Sequence, residues 1–369
     1  MVFLGIILLE FLYEYGLFLA KAVTAVLAIL ITVGVLIGIA VKQRPASEAK
    51  GQLEIHSLSQ ALQELKDYAT RALVPDSELK AFDKARKKLL KKNAKSKDHS
   101  AKASDDDAKG SSDVESSRNG KVFVLDFKGS VDANETEYLR REISAILSVA
   151  DTAQDEVILR LESPGGYVHS YGLAASQLQR LRDAGLHLTV CVDQVAASGG
   201  YMMACVAHKI VSAKFAVIGS VGVVAQLPNF HRVLKKNDID IELHTAGEYK
   251  RTLTMLGENT DEARDKFKAD LNQIHRLFKD FIKQNREGLD VDKIATGETW
   301  YGTDALEVGL VDEISTSDDV LLALYEKRDV YSVKYTQKKT LAEKLGFAAE
   351  GTLMRLYHRI FAHSQTPIS

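Results

Sequence analysis

The chain has little cysteine, no excess of charge of either sign, and no internal repeat. Its two cysteines, Cys191 and Cys205, exclude a disulfide-stapled scaffold and a four-cysteine zinc site. Lys and Arg total 48 against 50 Asp and Glu, and this balance argues against a dedicated nucleic-acid binder. The absence of a repeat of fixed period excludes a solenoid. A hydrophobic content of 46% over 369 residues is enough for a core and excludes a wholly disordered protein.

One long hydrophobic run lies near the amino terminus. The run from Ala22 to Val41 contains no charge, and a helix of that length spans about 30 Å, the thickness of a bilayer core. We therefore expect a membrane anchor over residues 1–42, with a transmembrane helix at about 20–41. A cleaved signal peptide fits less well, because acidic residues precede the run and no Ala-x-Ala site follows it. A buried core helix fits poorly, since no face of the run is polar.

The orientation of this anchor is open on sequence grounds. Basic residues follow the run and acidic residues precede it, so the positive-inside rule favours a cytoplasmic location for the rest of the chain. That rule weakens for long translocated domains.

Residues 43–120 have the composition of a spacer. Ser59–Ala72 is predicted to be a short amphipathic helix, and the sequence then becomes charged and of low complexity. Such a segment holds too few apolar residues to form a core. The basic run at 84–97 is interpreted as a solvated charged helix, and contact with anionic lipid or nucleic acid is the alternative.

Regular structure is predicted to resume at Lys121, in a catalytic domain over 121–330 followed by a carboxyl-terminal extension over 331–369. Buried apolar strands alternate with helices, which indicates an α/β fold with a mostly parallel sheet covered on both faces. The predicted strands are 121–127, 156–161, 187–192, 209–212 and 239–244, and the predicted helices are 135–149, 168–182, 230–236 and 260–286.

Ser198 is a candidate nucleophile. It stands between a predicted strand and an apolar helix, and the small residues around it leave room for a substrate backbone. The amino terminus of a helix favours a developing oxyanion. A helix N-cap serine prefers the same position and is commoner, so the local sequence does not decide the role.

A second candidate feature is the turn Ser163-Pro164-Gly165-Gly166 at the end of a predicted strand. Its amides can point outward together, as an oxyanion hole requires, and side chains there would obstruct a peptide. An ordinary strand-to-helix turn explains the same residues.

A serine nucleophile also needs a base. The histidines His208, His231 and His244 have no obvious triad setting. Lys250 lies in a polar loop after a predicted strand, although a solvated surface lysine is the ordinary interpretation. Glu248 lies two residues away and must turn aside if Lys250 is to act as a neutral amine.

Taken in series, four motifs resemble the signal peptide peptidase A (protease IV) family of serine–lysine proteases. The likeness runs in order and spacing over about 121–314 and includes the anchor, as in a shorter bacterial member with one catalytic unit. The motifs are Ser-Pro-Gly-Gly at 163–166, Ala-Ser-Gly-Gly-Tyr at 197–201, Gly-Ser-Val-Gly-Val at 219–223 and Gly-Glu-Tyr-Lys-Arg at 247–251.

The resemblance implies a Clp/crotonase-like fold and an endopeptidase without metal or cofactor. It implies Ser198 as nucleophile, Lys250 as general base and Ser220 as the hydroxyl that orients the lysine amine, with oxyanion amides from Gly165 and Gly199. It also implies a bacterial inner-membrane protein, with the catalytic domain on the periplasmic side in the family. The expected partners are peptide or protein substrates (signal-peptide remnants or envelope proteins), membrane lipid and further copies of the chain, with no nucleic acid.

Two other functions remain compatible with parts of the sequence. A crotonase-type acyl-CoA enzyme shares the fold and the oxyanion turn but needs no serine–lysine pair. A catalytically idle membrane scaffold would tolerate the loss of Ser198. Cys205, seven residues after Ser198, is expected to be buried in the core and not to react.

Overall fold

The computed structural model describes residues 13, 15–19, 21, 23–24, 51–75, 77–80, 84, 87 and 120–337. The predicted transmembrane helix at about 20–41 lies outside the described residues except at three positions. The extension after residue 337 lies outside them as well. Among the described residues, no helix has the length and hydrophobicity needed to cross a membrane.

The described chain forms a seven-stranded sheet and a three-stranded sheet with helices between the strands. The strands are β1 (Gln52–Ser57), β2 (Lys121–Lys128), β3 (Glu156–Glu162), β4 (His187–Val192), β5 (Val195–Ala197), β6 (Lys209–Ser212), β7 (Val217–Gly219), β8 (Thr299–Tyr301), β9 (Glu313–Ile314) and β10 (Asp329–Thr336). The helices are α1 (Leu58–Leu73), α2 (Thr136–Val149), α3 (Val168–Asp183), α4 (Gly199–Ala204), α5 (His231–Lys236), α6 (Asp261–Asn285), α7 (Val291–Ile294), α8 (Gly302–Glu307) and α9 (Ser317–Tyr325).

The large sheet has the order β1-β10-β2-β3-β4-β6-β9, and from β10 to β9 every neighbouring pair is parallel. The small sheet has the order β5-β7-β8, with β5 and β7 parallel and β7 and β8 antiparallel. The predicted α/β class, a mostly parallel sheet flanked by helices, is confirmed.

Both faces of the large sheet are buried, which explains why its central strands are continuous apolar runs. In β2, Phe123, Leu125 and Phe127 join the main core with α2, α3, α4 and α6, whereas Val122 and Val124 join a smaller core with α9. Side chains alternate between the faces of a strand, so a strand covered on both sides needs apolar residues at successive positions.

Most predicted elements are confirmed to within about two residues, but the sheet is wider than predicted. The predicted amphipathic helix at Ser59–Ala72 is α1, and it is attached to the sheet: the Val330 amide donates to Ser59 Oγ (2.9 Å) and Leu58 packs on the smaller core. The edge strand β1, which precedes α1, falls within the predicted spacer. Its neighbour β10 lies more than 270 residues away and crosses the predicted boundary at 330, so no local pattern pairs them.

The predicted strand at Ile239–His244 is wrong. The structure has irregular backbone there, and Ile239, Ile241 and Leu243 are 49%, 44% and 56% exposed. An alternating pattern forms a strand only when a neighbouring strand pairs with it. In the single chain this segment has no such neighbour among the described residues.

Glu142 makes the stability of the fold depend on pH. This buried carboxylate on α2 accepts a hydrogen bond from the Tyr335 amide (2.7 Å), and burial raises its pKa from 4.5 to about 7. The folded state therefore binds more protons than the unfolded state between those two values, so this group's contribution falls as pH rises through that window.

We expect Glu142→Gln to remove this dependence while keeping an acceptor for the Tyr335 amide. From pH 4.5 to 7.5, the free energy of unfolding of the variant should gain about 3 kcal/mol relative to wild type, at 1.36 kcal/mol per pKa unit. Urea unfolding of both proteins at several pH values measures the difference. Parallel pH profiles for the two proteins would contradict the assignment.

Candidate active site

Ser198 lies at a sharp bend between β5 and α4. Its backbone has φ 51° and ψ −119°, a conformation that L-residues rarely adopt and that costs about 1–3 kcal/mol. The Ser198 amide donates to the Gly219 carbonyl (2.7 Å), and the Ser198 carbonyl accepts from the Met202 amide (3.0 Å). The strand on one side and the helix on the other therefore fix the strained residue, and the half-buried side chain stands at the tip of the bend.

Ser220 lies beside Ser198. β5 and β7 are parallel and pair Ala197 with Gly219, so the two serines follow one step beyond the end of the same ladder. Ser220 also has a positive φ, 52°, and its amide donates to the Glu298 carbonyl (2.6 Å). The structure therefore brings two of the predicted site residues together.

The turn after β3 closes over this bend. Gly165 has φ +89°, and a Cβ atom there would lie 2.7 Å from the Ala197 carbonyl oxygen and 2.8 Å from Ser198 Cβ. It would also lie 2.7 Å from the Gly199 nitrogen. Only glycine allows this approach, so the two predicted oxyanion residues and the predicted nucleophile are in one place.

The two candidate oxyanion amides differ in their present partners. Gly199 is the first residue of α4, and the amide at that position has no acceptor within the helix. The Gly165 amide donates to Ser163 Oγ (3.1 Å). One amide is therefore available, and the other is held within its own turn.

Lys250 is not part of this cluster in the single chain. It lies on a segment that we call the exposed arm, residues 224–251. Every residue of this segment is exposed except His231 and Leu234, which are partly buried. Across the described contacts, the Lys250 amine has neither a hydrogen bond nor an ion pair, and nothing joins it to Ser198. The Glu248 carboxylate forms a hydrogen bond with the Tyr249 phenol and, in the described chain, not with the Lys250 amine. This hydrogen bond raises the pKa of Tyr249.

Among the described contacts, none of the histidines considered as bases is joined to Ser198. His208 Nδ1 accepts from the Leu188 amide (3.0 Å), and burial lowers the pKa of its ring. His244 is exposed beside Glu242 (3.3 Å), and His231 begins α5 on the exposed arm.

Cys205 is buried, as predicted. Its thiol donates to the Met202 carbonyl (3.2 Å), and burial raises its pKa to about 12. A protonated, buried thiol is not a nucleophile.

Two residues that shape the site, Tyr171 and Trp300, are not identified from the sequence, and Ser163 is identified only as part of the turn at 163–166. Ser163 and Tyr171 form a buried hydrogen-bonded pair (2.5 Å) under the turn that carries Gly165. Trp300, the single tryptophan, lies against Gly219, where a Cβ atom would be 2.7 Å from the indole ring. Tyr171 lies eight residues after Ser163, outside the turn motif, and Trp300 lies on a different strand from Gly219, so no local motif indicates these contacts.

Comparisons with known proteins match the chain to a family of peptidases. Residues 10–178 match the N-terminal region of peptidase family S49, and residues 180–331 match peptidase family S49. "Probable protease SohB" of Haemophilus influenzae is 51% identical over 350 residues, which cover 95% of this chain and 96% of that protein. "Probable protease SohB" of Buchnera aphidicola subsp. Schlechtendalia chinensis is 47% identical over 315 residues, 85% of this chain and 100% of that protein.

A more distant relative matches a smaller part. "Protease 4" of Haemophilus influenzae is 26% identical over 208 residues, which cover 54% of this chain and 34% of that protein. Matches along most of the chain, together with the motifs that meet around Ser198, define a peptidase. The chain belongs to peptidase family S49, and the resemblance drawn from its four motifs is confirmed.

Proposed function

We propose that the protein is a membrane-anchored serine endopeptidase with a Ser198–Lys250 dyad on a Clp/crotonase-like fold. The observation that carries the proposal is the strained bend at Ser198, which a structural N-cap does not need. A nucleophile gains from such a strand–turn–helix bend because the bend lifts the hydroxyl out of the backbone and towards a substrate. Gly165, Gly199 and Ser220 surround it as an acyl-transfer site requires.

The chemistry then follows in two steps. Ser198 Oγ attacks the peptide carbonyl carbon while the neutral Lys250 amine accepts the hydroxyl proton. The tetrahedral oxyanion accepts hydrogen bonds from the Gly165 and Gly199 amides, and the protonated lysine returns the proton to the leaving amine. Water then attacks the acyl-enzyme by the same route, which releases the acid and restores both groups.

The two alternatives make different demands on these residues. An acyl-CoA enzyme of the same fold uses the oxyanion amides but gives Ser198 no reason for a strained backbone. A scaffold needs neither. Peptide release by the full-length chain, blocked by a serine-directed fluorophosphonate, supports the proposal. Turnover that is indifferent to the inhibitor contradicts it.

We extend the proposal to assembly, because the dyad is incomplete in one chain. The exposed arm carries Lys250 together with apolar side chains at alternating positions, Ile239, Ile241 and Leu243, each 44% exposed or more. A second copy would cover these residues, provide a neighbour for the unpaired segment and position the lysine against a serine.

Ile241→Glu is therefore expected to dissociate the assembly and to lower peptide turnover by at least about tenfold, since a charge in a buried interface is strongly unfavourable. Ile55→Glu, at an isoleucine 50% exposed on β1, is the matched control and should change neither. Light scattering in detergent and a peptide-release assay measure both properties. A wild-type protein that is monomeric and fully active would refute the role of assembly.

We also propose that residues 1–42 anchor the enzyme in the bacterial inner membrane, on the strength of the uncharged run from 22 to 41. The substrates would then be peptides or proteins at that membrane, such as signal-peptide remnants or envelope proteins. Retention of the full chain in membranes washed with alkaline carbonate tests the anchor, and release into the wash would count against it.

A further inference from the structure

A buried pair of hydroxyls lies directly beneath the turn that carries Gly165. Ser163 and Tyr171 have no measurable exposure, and their hydroxyl oxygens are 2.5 Å apart. Ser163 Oγ also accepts from the Gly165 amide (3.1 Å), and Tyr171 donates to the Ser130 carbonyl (2.8 Å). One continuous chain of hydrogen bonds therefore runs from the turn to the segment after β2.

The direction of each bond follows from the acceptor at its end. A carbonyl can only accept, so the Tyr171 proton points to Ser130 and is not available to Ser163. Ser163 must then donate its own proton to the tyrosine oxygen and use a lone pair for the Gly165 amide. The order is Gly165 N–H to Ser163 O–H to Tyr171 O–H to Ser130 carbonyl, in which each bond polarises the next.

The same two residues also contact the other side of the site. The Ser163 backbone forms two hydrogen bonds with β5. Its amide donates to the Val195 carbonyl (2.8 Å), and its carbonyl accepts from the Ala197 amide (3.0 Å). The Tyr171 ring lies against Gly199, where a Cβ atom would be 2.4 Å from its Cγ. The hydroxyls of the pair thus fix Gly165. The Tyr171 ring and the Ser163 backbone contact Gly199 and Ala197, the two neighbours of Ser198.

We infer that Ser163 and Tyr171 are positioning residues that fix the two oxyanion amides relative to each other. The inference rests on the proposed function. Before substrate binds, Ser163 provides the acceptor that keeps the Gly165 amide oriented in a buried site. When the oxyanion forms, its charge makes it a stronger acceptor than a hydroxyl. The Gly165 amide then donates to the oxyanion in place of Ser163 Oγ, and the turn does not have to be reordered first.

Removal of one hydroxyl should therefore affect the transition state and leave substrate binding intact. In Tyr171→Phe the ring still packs on Gly199, but Ser163 loses its acceptor and the turn loses its link to Ser130. We expect kcat to fall about tenfold with little change in KM, because a donor displaced by a fraction of an ångström stabilises the oxyanion less. Binding of a peptide aldehyde, whose adduct carries the oxyanion, should weaken by the same factor.

The test compares the full-length Tyr171→Phe and Ser163→Ala variants with Tyr325→Phe, a tyrosine that packs on the opposite face of the sheet. Fluorophosphonate labelling of wild type at Ser198 is measured first, so failure of the proposed function is seen separately. The inference is supported if kcat falls in whichever site variant folds and the affinity for the peptide aldehyde falls by the same factor. Tyr325→Phe should show neither change. Unchanged or faster turnover overturns it, since a faster enzyme would mean that Ser163 competes with the oxyanion for the Gly165 amide.

Discussion

Ser198→Ala is expected to lower peptide hydrolysis by about 10⁴-fold or more while the protein stays folded. Loss of a nucleophile removes the covalent route entirely and leaves only the oxyanion site and substrate binding. Alanine keeps the backbone contacts of the bend, because the Ser198 amide and carbonyl, not its side chain, bond to Gly219 and Met202. A peptide-release assay with circular dichroism measures both properties.

Two further substitutions test the backbone strain at Ser198 and the role of the neighbouring Ser220. Ser198→Gly should be as inactive as Ser198→Ala but about 1 kcal/mol more stable, because glycine adopts a φ of 51° without a steric penalty. Ser220→Ala should lose less activity, since the role proposed for that hydroxyl is to orient the base and not to react itself. Wild-type turnover by Ser198→Ala would remove this serine from the mechanism.

Lys250→Ala is expected to lose activity by about 10³-fold or more, again without unfolding, since the residue is exposed and its amine forms no hydrogen bond or ion pair among the described contacts. Lys235→Ala, on the same exposed arm, is the matched control and should keep wild-type activity. A small primary amine added to Lys250→Ala should restore part of the rate, because it can occupy the vacated position and accept the proton. A variant with full activity would eliminate the lysine as the base.

The pH dependence of the wild-type enzyme provides an independent test of the same residue. Only a neutral amine accepts a proton, so kcat/KM should rise with pH and level off in the alkaline range. A histidine base would produce a limb near pH ~6.5. Replacement of His208, His231 or His244 should leave the limb unchanged. An acidic limb that disappears with one of these substitutions would favour a serine–histidine mechanism.

The parts of the fold that sequence predicts are those fixed by local pattern. The strand His187–Val192 was predicted with its bounds because both faces of the large sheet are buried and the apolar run is uninterrupted. The helix Asp261–Asn285 is predicted from its amphipathic pattern, and in the structure the Thr260 side chain caps it by accepting from the Ala263 amide (3.2 Å).

The parts that it does not predict depend on distant partners. β1 is a strand because β10 lies beside it, and 239–244 is not one because nothing lies beside it in the described chain. The site divides in the same way. Motif order predicts a site at Ser198 and Gly165, whereas no motif includes Tyr171, whose hydroxyl and ring contact Ser163, Ser130 and Gly199.

The residue that a fluorophosphonate modifies decides whether Ser198 is the activated nucleophile of a peptidase. The full-length protein is treated with a fluorophosphonate, and the modified residue is located by peptide mass spectrometry in wild type and in Lys250→Ala. We expect a single adduct on Ser198 that forms in step with the loss of activity, no adduct on the neighbouring Ser220, and a much slower reaction in Lys250→Ala. An enzyme that is inactivated while Ser198 stays unmodified would contradict this expectation.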